Sequence, residues 1–594
     1  MHLSYIDWAI IIFFLGISLS IGLYFRKRGG KSLSDYFLTG RNLPWYIAGI
    51  SMVATTFAAD TPLAVTELVA DGGVSGNWLW WNMLIGGMLT TFFFARYWRK
   101  AEVLTELELI ELRYGGRPAY FLRVFKSLYL GVFMNCVIIA WVNLALMAII
   151  QVFFEVPAGS LIWIIAGIMS VTVIYSSLSG LWGVAVTDAV QFVIAMTASI
   201  ILAVIVLQVE AIGGMSGLKS QLPEASLNFF PSIGDDNFTG TLTISIGAFL
   251  AFAGFQWWAS WYPGAEPGGG GYVAQRMMSC KNEKHAVFAT LFFQIAHYCL
   301  RPWPWIIVGL AAVVLYPELG PDEKRLGYAM AMKDHLPIGL RGLMLTAFLA
   351  AYMSTISTQL NWGASYLVND FYKKVLKPQS SFENEEKANK HYVLFGRLFT
   401  VMLMFIALFV TTLVETISGV WLFVIECGAG LGLVLILRWY WWRINAWSEI
   451  SATIIPFIVY GIANFYLVKI LPESFVVHRG PFFLTVGITT IGWLIITFVT
   501  KPERKDVLQK FYDKVQPEGS WKAFKTKERK KKRQIPKLLA CWLSGVVMTY
   551  ALLFATGKLI FGEYLYFFYW IIVAAAGLSV LLYVLPKTSI LDKS

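Results

Sequence analysis

Residues 171–192 read VTVIYSSLSGLWGVAVTDAVQF. They set a carboxylate, Asp188, between two apolar stretches that are each long enough to cross a bilayer. A charge at that depth costs about 3 kcal/mol unless a cation or hydrogen-bond donors hold it. Asp188 is therefore either part of an ion or substrate pathway or a helix-capping group at the membrane surface.

The rest of the chain has the same character. Of 594 residues, 57% are apolar and 14% charged, and the mean hydropathy is +0.62, so the solvent of this protein is mostly lipid. Fifteen segments have the length and polarity of a spanning helix: 5–25, 45–70, 74–98, 120–154, 158–178, 181–208, 241–262, 286–315, 341–368, 391–413, 418–438, 447–467, 480–500, 538–556 and 564–585. The two that flank Asp188 meet at SSLSG, 176–180, which is expected to turn.

A net charge of +12 suggests a nucleic-acid partner until its position is considered. The largest basic block is a juxtamembrane loop, 501–537, with fourteen Lys or Arg against five Asp or Glu. The block reads as a topology anchor or as a patch against anionic lipid. With Arg26, Lys27 and Arg28, Arg96, Arg99 and Lys100, Lys373 and Lys374, and Arg438 and Arg443, it falls at alternating helix ends. The positive-inside rule then puts the N-terminus outside and the C-terminus in the cytoplasm, in a multi-pass plasma-membrane protein. The only charge before the first apolar run is Asp7, which is not the pattern of a secretory signal. Five scattered cysteines lack metal-site or CxxC spacing and imply no redox chemistry.

Three further stretches are unusual for membrane helices. In SMVATTFAADTPLAVTEL, 51–68, small and hydroxyl residues surround Asp60, and Pro62 removes a backbone donor, so the helix is expected to open there. Freed carbonyls near Ala54 and Phe57 could coordinate a small cation, or the proline could simply kink a packed helix. In LTAFLAAYMSTISTQLNW, 345–362, the hydroxyls of Ser354, Thr355, Ser357 and Thr358 occupy neighbouring faces of one turn. They suit sodium as hard, uncharged ligands, and they equally suit helix packing in lipid. Finally, His297 and Arg301 in QIAHYCLRPWPW and Glu426 in WLFVIECGAGLG are ionisable groups inside apolar helices. Arg301 needs an acidic or carbonyl partner, with Asp60 and Glu426 as candidates, in a role that is structural, gating or part of a solute site.

EPGGGGYVAQR, 266–276, lacks the Lys-Ser/Thr pair of a phosphate loop, and GAGLG, 428–432, fits close helix packing better than a nucleotide fingerprint. HExxH, GxSxG and metal-ligand clusters are absent, so no enzyme, no cofactor and no nucleic-acid or obligate protein partner is indicated.

Taken together, these residues resemble the sodium:solute symporter family, which includes sodium-coupled sugar, proline, pantothenate and sialic acid transporters. The most specific piece is Gly180, Leu181, Trp182, then Thr187, Asp188 and Gln191. VAQRMMSCKNEKHA, 273–286, is similar to the family's cytoplasmic Gln-Arg stretch, and FLAAYMSTISTQL, 348–360, to its sodium-binding helix. The resemblance implies an all-α integral membrane protein with an inverted-repeat, five-plus-five helix core. One helix, with its loop, precedes the core (1–44). The repeats are 45–208 and 241–438, joined by an extracellular loop, 209–240. Additional helices (439–500), the basic loop (501–537) and two C-terminal helices with a tail (538–594) follow.

By the same resemblance, Na+ is the coupling ion, the only metal expected. Its main site carries onto the carbonyls of Ala54, Phe57 and Ala351 and the hydroxyls of Ser354 and Thr355. A second site, found in some members, carries onto Asp188, Ser354, Ser357 and Thr358. The substrate is expected among Thr55, Thr56, Asp60 and Thr61 from the first broken helix and Phe255, Gln256 and Trp257 from its counterpart. Asp60-Thr61-Pro62 departs from the pattern of the sugar-transporting members. The expected function is sodium-driven import of a small polar solute, with an amino acid or other zwitterion preferred if Asp60 receives an ammonium. A sugar or polyol is the alternative if Asp60 pairs with Arg301, and a solute sensor or channel is the other class.

Overall fold

The computed structural model describes residues 3–29, 32–231, 243–321, 323–414, 417–524 and 534–590. Within these the chain is helical, and its only β-type contacts are single bridges, Leu43 to Cys280 and Trp441 to Ser520. Among the described residues, ten helices are long and apolar enough to cross a membrane, and two bent pairs bring the number to twelve. The three remaining stretches are also helical but irregular. Residues 159–174 and 246–259 form short apolar helices, and 74–101 is a series of short helical pieces with a wide turn at Thr90–Phe94.

The helices used below are α1 (Tyr5–Gly29), α2 (Trp45–Thr55), α3 (Asp60–Gly72), α4 (Ala158–Leu207), α5 (Ile246–Ala259), α6 (Gly271–Ser279), α7 (Pro302–Leu315), α8 (Leu340–Tyr366), α9 (Ile417–Cys427), α10 (Leu431–Tyr440), α11 (Ile535–Ile560) and α12 (Tyr564–Val584). α2 and α3 are bent by 58°. The opening falls at Thr56–Ala59, just before the position expected from Pro62. Proline stands in the first turn of α3, where a missing N–H costs nothing, so the break precedes it.

The second interruption lies between α5 and α6. Here Gly264, Gly268 and Gly269 take positive φ values of 84°, 81° and 79°, so the chain crosses this region as irregular backbone lined by protein. These two interrupted helices open the two halves of a five-plus-five inverted repeat, with one helix leading it and several trailing. A third break separates α9 from α10, and it is knitted to the second. Trp261 N–H donates to Gly428 O at 3.2 Å, and Gly430 N–H donates to Ala259 O at 2.9 Å.

Two local features differ from the sequence reading. The run SSLSG, expected to turn, does so only at its last residue: helix continues to Gly180, which breaks the pattern at φ 59°, ψ −160°. A Cβ there would sit 2.6 Å from Tyr36 O, so only glycine allows this approach. Asp7 is not merely a flank, because its Oδ1 accepts the N–H groups of Gly339 (2.8 Å) and Gly342 (2.7 Å) and so caps α8 from another helix. Part of the expected basic block, 525–533, lies outside the described residues.

Of the last two helices, α11 is packed onto the core and α12 against α11. α11 accepts Trp303 Nε1–H at Leu553 O (3.0 Å), while its Tyr550 OH and Trp542 Nε1–H donate to Trp81 O (2.8 Å) and Ile85 O (2.9 Å).

Candidate functional site

Asp188 is fully buried, and donors from three other helices hold it. Ser51 Oγ–H of α2 donates to Oδ2 at 2.5 Å and Ser354 Oγ–H of α8 donates to Oδ1 at 2.6 Å. The counter-charge is Arg276 of α6, whose Nη2 lies 3.6 Å from Oδ2. The same guanidinium donates to Ser51 Oγ (3.1 Å), to Thr358 Oγ1 (2.7 Å) and to Gln275 Oε1 (3.0 Å). Thr358 Oγ1 is also 3.1 Å from Thr55 Oγ1. Asp188 is thus a paired charge in a network across α2, α4, α6 and α8, and the surface-cap alternative is excluded.

One residue along, Thr355 faces the break in α2–α3. Its Oγ1–H donates to Thr55 O at 2.9 Å and to Ala351 O at 3.2 Å. Ala54 O accepts the N–H of Phe57 at 3.0 Å across the opening. Thr355, Ala351 and the α2 terminus therefore gather uncharged oxygen atoms, a donor set that fits a hard monovalent cation. Ser354, the fifth expected ligand, is directed at Asp188. Ser357 bonds back to Ser354 O at 3.0 Å.

Beside this break lies a cavity of about 100 Å³. Thr55, Thr56, Asp60 and Thr61 line it, as expected, together with Thr355, Gln359 and His297. Its aromatic walls are Trp80, Trp141, Tyr262, Tyr272, Tyr298 and Trp421. Asp60 is 3% exposed, and its Oδ1 has no hydrogen-bond partner. Phe255, Gln256 and Trp257 do not line this cavity. Gln256 Nε2–H bonds Leu79 O at 2.9 Å, Phe255 lies against Phe483 at 5.2 Å between ring centroids, and Trp257 lies 5.9 Å from Trp542. α5 is still helical at these positions, through a wide turn at Ala251–Gln256, and they face neighbouring helices. The wall comes from the irregular backbone beyond it, at Tyr262–Ala265.

Arg301 is fully buried and faces the bundle, but neither expected carboxylate is its partner. It donates to carbonyls at the end of α2, Val53 O at 3.3 Å and Thr56 O at 2.6 Å, and to Thr56 Oγ1 at 2.7 Å. Phe57 and Trp305 rings flank it at 5.4 and 5.1 Å. A fixed cation at a helix C-terminus answers the dipole there and satisfies carbonyls that the break leaves open. Arg301 Nη1 also lies 2.6 Å from His297 Nδ1. Arginine cannot accept, so Nδ1 does, and the ring proton sits on Nε2. Glu426 pairs elsewhere, with Arg479 at 3.5 Å and Asn464 at 3.4 Å.

The principal residue missed at the sequence level is Arg276. It was legible as half of a Gln-Arg pair in α6, but a single sequence does not say which carboxylate such a cation meets. Tyr262 and Trp80 were missed because aromatic residues are frequent throughout the chain.

The chain is similar to a sodium/glucose cotransporter of Vibrio parahaemolyticus, 24% identical over 488 residues covering 77% of this chain and 85% of that one. It is also similar to a sodium/sialic acid symporter of Proteus mirabilis, 25% identical over 414 residues covering 67% and 77%. Among solved structures, it shares its fold with a substrate-bound, outward-open Na+-coupled sialic acid symporter, at a TM-score of 0.63 and 19% identity over 84% of this chain and 99% of that one. A family model for the sodium:solute symporter family matches residues 36–455. With broken helices at the expected places and a match across most of its length, the chain belongs to the sodium:solute symporter family.

Proposed function

We propose that this sodium-coupled symporter of a small organic solute imports a polyhydroxylated one, a monosaccharide or polyol. The observation that carries this reading is Asp60, a buried carboxylate whose Oδ1 lacks a partner and lines the cavity. A carboxylate oxygen accepts strongly from solute hydroxyls. The aromatic walls offer flat apolar faces to the C–H face of a sugar ring, in a pocket that mixes apolar surface with few polar groups. The sodium-coupled glucose and sialic acid transporters among the relatives support the sugar alternative over the amino acid preferred at the sequence level.

In this reading the main sodium ion is held by the carbonyls of Ala54, Phe57 and Ala351 and the hydroxyls of Ser354 and Thr355. Its binding orders the opening between α2 and α3 that also forms one wall of the cavity. Because Arg276 already answers Asp188, a second ion at Asp188, Ser354, Ser357 and Thr358 has to displace a guanidinium, so we assign one sodium ion per cycle. One charge moving through 100 mV supplies about 2.3 kcal/mol, to which the concentration gradient adds. The N-terminus is outside and the C-terminus cytoplasmic, with repeats at 45–208 and 241–438.

Proteoliposomes loaded without sodium and offered labelled hexoses, polyols, sialic acid and amino acids test the reading. Sodium-driven accumulation of a hexose or polyol, lost with potassium or choline, is expected. Accumulation of an amino acid with no response to sugars overturns the substrate class.

A further inference from the structure

EPGGGGYVAQR, set aside above as no phosphate loop, contains a buried acid that the sodium and solute sites do not use. Glu266, in the irregular backbone before α6, is 3% exposed, and its Oε1 has no hydrogen-bond partner. Its Oε2 accepts Gly264 N–H at 3.1 Å. A second buried acid, Glu106, reaches the same backbone: its Oε2 accepts the N–H of Gly271 in a short bond and the Tyr366 hydroxyl at 3.0 Å. The two carboxylates converge on Gly270 and Gly271. A Cβ at Gly270 would fall 3.0 Å from Glu266 Cβ and 3.1 Å from Glu106 Oε2, and one at Gly271 would touch Glu266 Oε1.

The surrounding titratable and charged groups do not neutralise this pair. Tyr366 donates to Glu106, and Tyr272 points its hydroxyl to Pro263 O at 3.5 Å. Arg276 serves Asp188. Arg438, stacked on Trp98, pairs with Glu449, and Asp370, beside Thr105, pairs with Arg123. A carboxylate buried this deeply with one oxygen unpartnered, and with a second acid on the same stretch of backbone, is costly to ionise in a low dielectric, and a proton on Glu266 removes that cost.

The geometry points to a proton-binding site at Glu266, beside Glu106, whose proton keeps the start of α6 seated against the loop before Glu108. Since α6 carries Arg276, the protonation of Glu266 sets how firmly the inner end of the Asp188 network is held. At low pH Glu266 is neutral and the segment is closed. As pH rises the proton leaves Glu266, a second buried charge appears on the same stretch of backbone, and the segment opens.

The test uses the full-length protein in nanodiscs and requires no solute. Infrared difference spectra should contain a buried protonated-carboxyl band at about neutral pH that is lost on titration to alkaline pH and is absent in E266Q. Hydrogen exchange of the 266–277 backbone, corrected for the intrinsic rate, should rise about tenfold between about pH 6 and pH 9 in the wild type. It should stay low throughout in E266Q, while 340–366 exchange is unaffected. If E266Q does not yield folded protein, E106Q supplies the exchange comparison: with the neighbouring charge gone, the rise with pH should be smaller while the infrared band remains. Absence of the infrared band in the wild type overturns the proposal whatever the variants do. So does wild-type exchange that is flat with pH or rises equally in the variant. Loss of the band on adding sodium at constant pH makes the pair a cation site and also overturns it.

Discussion

Ser354 donates its hydroxyl proton to Asp188 at 2.6 Å, while the next residue, Thr355, donates to Thr55 O at 2.9 Å. Consecutive hydroxyls on α8 thus serve different neighbours, one a buried carboxylate on α4 and the other the opening in the first broken helix. Their substitution is expected to separate. T355A removes an uncharged ligand and should weaken sodium activation of uptake about tenfold, equivalent to about 1.4 kcal/mol, with normal expression. S354A should combine a weaker sodium response with lower thermal stability, because Asp188 loses a donor. Sodium titrations of uptake and melting curves in detergent check both.

Arg276 should be more sensitive than any hydroxyl. R276M strands Asp188 in the membrane and is expected to cost about 3 to 5 kcal/mol of stability, seen as loss of monodisperse protein. D188N in the same chain should recover part of that loss. Equal melting of R276M and wild type counts against the pairing.

D60N keeps the shape of the cavity wall and removes its charge. It should raise the half-saturating solute concentration about tenfold or more while leaving the apparent sodium affinity within about twofold. Equilibrium binding of solute and sodium to purified protein separates the two. A parallel loss of both would assign Asp60 to the ion.

R301M leaves the Val53 and Thr56 carbonyls without their donor, so transport should fall and the protein should lose stability. Neutralising Glu426 in the same chain should rescue nothing, since that acid pairs with Arg479 at 3.5 Å. Recovery of uptake by E426Q would reverse this assignment.

D7N should lower the melting temperature by an amount equivalent to about 1 kcal/mol, the worth of a helix cap, without changing the solute preference. Thermal unfolding followed by tryptophan fluorescence is sufficient to detect it.

Much of this was legible before any coordinates. Hydropathy located the helical stretches, and Pro62 and Asp60 marked the first opening to within a few residues, because proline and buried charge act locally. Asp188 and the hydroxyls of α8 stood out for the same reason. The partners of charges did not. Asp188 meets Arg276, and Arg301 meets backbone carbonyls, through contacts between remote helices, and both acid partners offered for Arg301 were wrong or unneeded. Phe255–Trp257 were expected in the pocket as the part of the second repeat's first helix that answers the first broken helix. Irregular backbone in fact begins at Ser260, where the glycines that permit it follow.

The hydrogen bonds that join the second and third breaks are main chain to main chain. Gly428 and Gly430 exchange hydrogen bonds with Trp261 and Ala259, and a Cβ on Gly428 would lie 2.7 Å from Trp261 O. Two interruptions that a diagram would draw as separate joints are therefore one joint with two arms. When the irregular stretch ahead of α6 shifts, the elbow between α9 and α10 shifts with it, because direct backbone hydrogen bonds couple the two. GAGLG is best understood as the pin of that joint, and a single methyl group placed on it would jam the transporter without touching either ion or solute.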